Sequence, residues 1–238
     1  MPDPIFAHPR LAALYDTFDG DRDDLDAYEE IAAELGAHDI LDVGCGTGCF
    51  ALRLAAAGHT VTGYDPAEAS LDVARSKPGA DRVTWTGTLP DGEFDLVTMT
   101  ANVAQVFTTD EQWTQILRDV HDRLRPGGSL VFETRRPEYR IWDEWATDTG
   151  PDVRDVPGVG PVEHRLRLTG VTLPLVSFQH RYTFPGGDVL TSDSTLRFRD
   201  RNELDADLTA CGFQIDDVRQ APDRPARERV FLCRKPTI

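Results

Sequence analysis

The 238-residue chain is long enough for one large α/β domain with its own hydrophobic core. Hydrophobic residues at 40% and charged residues at 28% exclude an intrinsically disordered chain. With 41 acidic against 25 basic residues the formal net charge is −16, which argues against nucleic acid or an anionic membrane as a partner.

Residues 5–18 and 23–35 read as two N-terminal helices, the second with Leu25, Tyr28, Ile31, Ala32 and Leu35 at helical spacing and Gly36 as its stop. Residues 40–43 form an apolar strand, followed by glycines 44, 46 and 48 and a helix over 49–57. A strand over 60–64 ends at Asp65-Pro66, and a helix over 67–76 follows. This βαβα alternation predicts a parallel sheet with right-handed crossovers. It continues with strands over 82–86 and 94–99 and a helix over 110–124 capped by Thr108 or Thr109. Arg125-Pro126-Gly127-Gly128 is a turn, and a fifth strand covers 129–134.

After Pro137 the pattern changes. A helical stretch over 138–145 precedes three strand-like runs, 162–172, 175–184 and 189–199, joined by short turns, which predict an inserted antiparallel sheet. A helix over 202–211 and strands over 213–218 and 229–233 close the chain. The expected division is a core of residues 1–136 and 200–238 and an inserted lid or substrate subdomain of residues 137–199. No apolar run approaches the ~20 residues of a membrane span, and Met1-Pro2-Asp3-Pro4 lacks a signal-peptide pattern, so the expectation is a cytoplasmic protein. Cys45, Cys49, Cys211 and Cys233 show no paired metal-ligand spacing, and no metal is expected.

The sharpest motif is Asp42-Val43-Gly44-Cys45-Gly46-Thr47-Gly48. Glycines let the backbone turn tightly and approach a ligand, and the following helix offers free N–H groups. A glycine-rich turn also occurs in nicotinamide and flavin enzymes, but Asp42 would set a like charge toward a pyrophosphate. An ammonium group, as on S-adenosylmethionine, suits it through a charge-assisted bond. Asp65 at the tip of the next strand has two readings, an acid on ribose hydroxyls and a helix N-cap before Pro66.

With Gly63-Tyr64-Asp65, Phe94-Asp95-Leu96-Val97 and Leu124-Arg125-Pro126-Gly127-Gly128, the motif order resembles class I S-adenosylmethionine-dependent methyltransferases of the small-molecule type. The resemblance covers roughly residues 25–134. It implies a Rossmann-like, doubly wound seven-stranded sheet with its last strand antiparallel. It further implies that Asp42, Gly44, Cys45, Gly46, Gly48, Tyr64, Asp65, Pro66, Thr100, Ala101 and Asn102 surround S-adenosyl-L-methionine, with S-adenosyl-L-homocysteine as product. One departure stands out: the acidic residue that usually receives the adenine amino group after the third strand is missing from residues 83–90. Thr86, Thr88, backbone carbonyls or apolar stacking would have to replace it.

Methyl transfer is an in-line displacement in which orientation and water exclusion dominate and a base is optional. Neither the acidic-Pro-Pro-aromatic pattern of amino-methylating nucleic acid enzymes nor a Pro-Cys pair is present, so the expected acceptor is a small molecule methylated on oxygen or nitrogen. The expected assembly is a monomer or homodimer. Tyr15 reads either as a fence over the methyl group, as the resemblance implies, or as a core aromatic beside Leu11 and Leu14. His180 reads either as a base facing the acceptor or as an ordinary strand histidine. Arg135 with Glu133 can bind a polar acceptor or pair with each other, and Trp142 with Trp145 can wall the acceptor or form a buried helix face. The competing readings are a non-catalytic cofactor-binding module and a nicotinamide-dependent oxidoreductase.

Overall fold

The computed structural model describes residues 1–147 and 150–237. Four helices precede the first strand: α1 (Pro4–Ala7), α2 (Pro9–Ala12), α3 (Tyr15–Asp19) and α4 (Asp26–Glu34). The core follows as β1 (Asp39–Val43), α5 (Cys49–Ala56), β2 (Thr60–Tyr64), α6 (Glu68–Ser76), β3 (Val83–Thr86), β4 (Phe94–Met99), α7 (Asp110–Arg123) and β5 (Leu124–Arg135). After α8 (Trp142–Trp145) come β6 (Asp152–Val156), β7 (Gly160–Thr172), β8 (Leu175–Thr183) and β9 (Val189–Arg197), then α9 (Arg201–Ala210), β10 (Gln214–Gln220) and β11 (Glu228–Arg234).

The large sheet has the order β10-β11-β5-β4-β1-β2-β3. Its first five strands pair in parallel, while β11 runs antiparallel to both β5 and β10. The strands of this sheet are apolar on both faces because helices cover both. Leu41, Val97, Leu130 and Phe231 face α7 and α9 with Trp113, Leu117 and Leu204, and Ile40, Val61, Leu96 and Val131 face α4 and α5 with Ile31, Phe50 and Leu54. The order reverses between β1 and β4, and a doubly wound sheet opens its ligand crevice at the carboxyl ends of the strands flanking such a reversal. Helix α7 begins at Thr109, whose side chain accepts from the Gln112 amide in a reciprocal capping box.

Four elements depart from the sequence reading. The expected turn over 125–128 lies within β5, as an irregularity in its pairing with β4. The expected helix over 5–18 is three short helices, because Pro9 has no N–H and holds His8 in an extended conformation. The inserted sheet has four strands in the order β6-β7-β8-β9 rather than three. The helical stretch over 138–145 narrows to α8 after a 3-10 turn over Pro137–Tyr139. One end of the inserted sheet packs on the N-terminal helices, where Ile5, Leu11 and Leu14 share an apolar cluster with Val162, Tyr182 and Phe184. The other end packs on α8 through Trp142, Val176 and Phe198. Among the described residues, no helix is long and apolar enough to cross a membrane.

Candidate cofactor and active site

The turn after β1 is built from backbone that only glycine adopts freely. Gly44 has φ +73°, and a Cβ there would lie 2.6 Å from Val103, so this position tolerates no side chain. At Gly48 a Cβ would strike Trp85 at 2.5 Å, which places that glycine against the back wall of the loop. Gly46, with φ +52°, has nothing within 4 Å of a Cβ position, because it borders a cavity of about 830 Å³.

Asp42 lies on this cavity and is only 1% exposed. Its Oδ1 accepts from the Thr98 hydroxyl at 2.8 Å, and its Oδ2 has no partner. Burial pushes its carboxyl up to about 7, partly opposed by the Thr98 hydrogen bond and by Arg22. Arg22 lines the same cavity and is held by Asp19 and Asp24, each at 2.8 Å. Asp65 accepts from the Gly46 amide at 2.9 Å through Oδ2 and from the Ala67 amide at 2.8 Å through Oδ1. It therefore fastens the glycine turn to the chain ahead of α6, whose N-cap is Ala67 rather than Asp65, and it lines the cavity. Burial raises its pKa, against the pull of those two amides.

The N-terminal segment forms the opposite wall through Asp3, Phe6, Tyr15 and Arg22. It is clasped by Asp16, whose carboxylate receives the Thr47 hydroxyl at 2.5 Å and the Lys77 ammonium at 2.5 Å. Tyr15 packs on Phe6 with ring centroids 5.5 Å apart and also joins the cluster with Tyr182 and Phe184. Burial, with Asp19 nearby, raises the Tyr15 pKa far above its ordinary value. The phenol therefore stays protonated.

Of the residues singled out in the sequence, Tyr15, Asp42, Gly44, Cys45, Gly46, Tyr64, Asp65, Pro66, Thr100 and Ala101 line the cavity together. Gly48 and Asn102 do not. Asn102, with φ +61°, donates from its side chain to Glu228 at 3.0 Å and from its amide to Glu133 at 3.2 Å, away from the cavity. His180 sits outside this cavity on β8, its Nδ1 2.9 Å from His164 Nε2, and burial brings its pKa down to about 4. Glu133 is fully buried, takes a hydrogen bond from Tyr28, and makes no ion pair with Arg135. Thr86 and Thr88 bond to each other in their own turn and do not border the cavity. Sequence reasoning missed Arg22 and the Asp16 clasp. A lone arginine in the acidic run 19–24 was the available signal for the first.

Residues 40–128 match the family described as methyltransferase domain. Over those residues the chain is similar to class I S-adenosylmethionine-dependent methyltransferases. Among curated relatives of these methyltransferases, the cypemycin N-terminal methyltransferase of Streptomyces sp. is 32% identical over 108 residues, 43% of this chain and 44% of that one. The chain spans about half the length of the curated relatives it matches. Two solved methyltransferases share the whole fold. CcbJ from Streptomyces caelestis has a TM-score of 0.76 at 22% identity, over 95% of this chain and 96% of that one. CalS10 from Micromonospora echinaspora, an amino pentose methyltransferase, has a TM-score of 0.69 at 24% identity, over 90% and 92%.

Proposed function

We propose that this methyltransferase binds S-adenosyl-L-methionine in the cavity over Asp42 and transfers its methyl group to an oxygen or nitrogen of a small-molecule acceptor. The observation that carries the reading is the spare Oδ2 of buried Asp42 on the cavity wall, with Arg22 lining the same cavity. Those two groups suit the ammonium and carboxylate of a methionyl moiety, and Asp42 sets a like charge against a pyrophosphate in that place. Asp65 keeps lone pairs for ribose hydroxyls after serving the two amides. Val103, Val106, Phe107 and Ile116 offer an apolar wall on which adenine stacks in place of the missing acid.

When bound, the cofactor supplies an electrophilic methyl group on a sulfonium. The chain's part is to orient the acceptor and exclude water. Tyr15 and Phe6, clasped by Asp16, cover the cavity, and the protonated Tyr15 hydroxyl is a hydrogen-bond donor there. His180, neutral at pH 7, serves the acceptor as a hydrogen-bonding partner rather than as a strong base. Residues 137–199, as a subdomain over the carboxyl edge, hold the acceptor against the core. The likeness to an amino pentose methyltransferase supports a small polar acceptor.

The test is isothermal titration of the folded protein with S-adenosyl-L-homocysteine and with reduced nicotinamide cofactor, followed by turnover on a panel of amines and alcohols. Micromolar binding of the first alone, with methylated product from the panel, is expected. Binding of the nicotinamide cofactor instead rejects the reading, and binding without any turnover favours the non-catalytic module.

A further inference from the structure

We propose that Arg135 recognises an anionic group, a carboxylate or a phosphate, on the acceptor; this rests on the methyl-transfer reading above and names its substrate class. Arg135 ends β5 at the carboxyl edge of the sheet, immediately before the segment that leads into the inserted strands. Its side chain is 23% exposed. Among the described residues, its only hydrogen-bond acceptor is Gln105, 3.0 Å from one terminal nitrogen. The nearest carboxylate, Glu228, stands 3.7 Å from Nε, outside hydrogen-bonding range, and already accepts from Arg224 and Asn102 at 3.0 Å each.

The contrast with other arginines is informative. Arg125 is closed by Asp39 and Asp95 at 2.7 and 2.5 Å. Arg199, only 2% exposed, gives its terminal nitrogens to the carbonyls of Ala104, Phe107 and Thr109 and is spent on structure. Among the described residues, Arg135 alone of these three keeps a terminal nitrogen without a hydrogen-bond acceptor, whereas its Nε, like that of Arg199, has a carboxylate at 3.7 Å. A guanidinium fork of that kind matches a carboxylate or phosphate in bidentate geometry.

Position links this fork to the transferring end of the site. Arg135 lies over Trp145 at 5.5 Å, Trp145 meets Phe178 at 5.0 Å, and Phe178 meets His180 at 5.4 Å. Tyr182 then contacts Phe18 at 5.4 Å, on the helix that carries Tyr15 into the cofactor cavity. This aromatic rim lies on the inner face of the inserted sheet, between its two packed ends, and Trp145, His180, Phe18 and Tyr15 along it are only half-buried. An acceptor seated there presents its anion to Arg135 and its nucleophile toward Tyr15. In a protein with a net charge of −16, an anion needs such a local cation to stay.

The probes are benzyl alcohol, benzoate and phenyl phosphate, titrated by NMR into the full chain saturated with S-adenosyl-L-homocysteine. At least one anion should bind ten or more times tighter than the alcohol, and the stronger arm tells carboxylate from phosphate. Arg135→Met and Arg135→Gln should reduce that preference to less than twofold while the affinity for S-adenosyl-L-homocysteine stays unchanged. A readout that needs no variant is arginine-selective modification by phenylglyoxal, in which the anions and not the alcohol should protect Arg135. Equal binding of the three probes, no binding of any of them, full preference in a folded variant, or absent protection overturns the assignment. Failure of S-adenosyl-L-homocysteine itself to bind would strike the methyl-transfer reading instead.

Discussion

At the scale of single residues, Asp42 makes the site respond to pH. Its carboxyl titrates near 7 in the fold and near 4 when unfolded, so without ligand its ionisation costs stability progressively as pH climbs between those values. Capture of an ammonium needs the ionised form. Affinity for S-adenosyl-L-homocysteine, followed by calorimetry, should therefore rise about tenfold per pH unit below 7 and level off above 8. Asp42→Asn should bind weakly with no such slope; an unchanged slope would move the titration to another group, with the buried Glu133 carboxyl the next candidate. Asp42, Gly44, Gly46 and Asp65 could be placed on one cavity from the sequence because a few contiguous residues carry their geometry. Arg22 was not legible, since its local pairing with Asp19 and Asp24 does not reveal the cavity it lines, and the set of Tyr28, Asn102, Glu133 and Glu228 was not, since its members lie up to 126 positions apart. Asn102 was read as a cofactor neighbour for a related reason: motif order locates a residue on a loop and says nothing of where a left-handed backbone aims its side chain.

At the scale of elements, the N-terminal cover depends on one clasp. Asp16 joins α3 to the glycine turn through Thr47 and to the end of α6 through Lys77. Removing it frees a wall of the cavity without touching the core. In stopped-flow displacement, Asp16→Ala should release S-adenosyl-L-homocysteine several-fold faster, and Lys77→Met should shift the rate the same way by less. Unaltered release in both would show that the cover is held by its apolar contacts alone. The strands β1, β2 and β4 were legible because each is a short apolar run bounded by turn residues. The strand β6 was not, because Asp-Val-Arg-Asp-Val is brief and charged, and only pairing with β7 makes it a strand. The broken N-terminal helix shows the reverse error, in which helical spacing was followed through a proline that the backbone could not absorb.

At the scale of the whole molecule, the excess of 16 negative charges acts on whatever approaches. The cavity wall adds Asp3, Glu111 and Asp119 to Asp42 and Asp65, so the field is focused where, on the proposed reading, the cofactor would enter. S-adenosyl-L-methionine carries a net positive charge and its demethylated product carries none. The association rate constant of the first should fall as salt rises from 20 to 300 mM, while that of the second changes little, in rapid-mixing fluorescence. Equal salt dependence would show that the field plays no part in entry. The shared cluster of Ile5, Leu11 and Leu14 with Tyr182 and Phe184 has its own consequence for biogenesis. On the ribosome the first helices emerge well before the strands that receive them, so they wait undocked while the core condenses. On the proposed reading, the cavity acquires its last walls only when translation has passed β9, which carries Thr195, and this would set ligand capture late in the life of the nascent polypeptide.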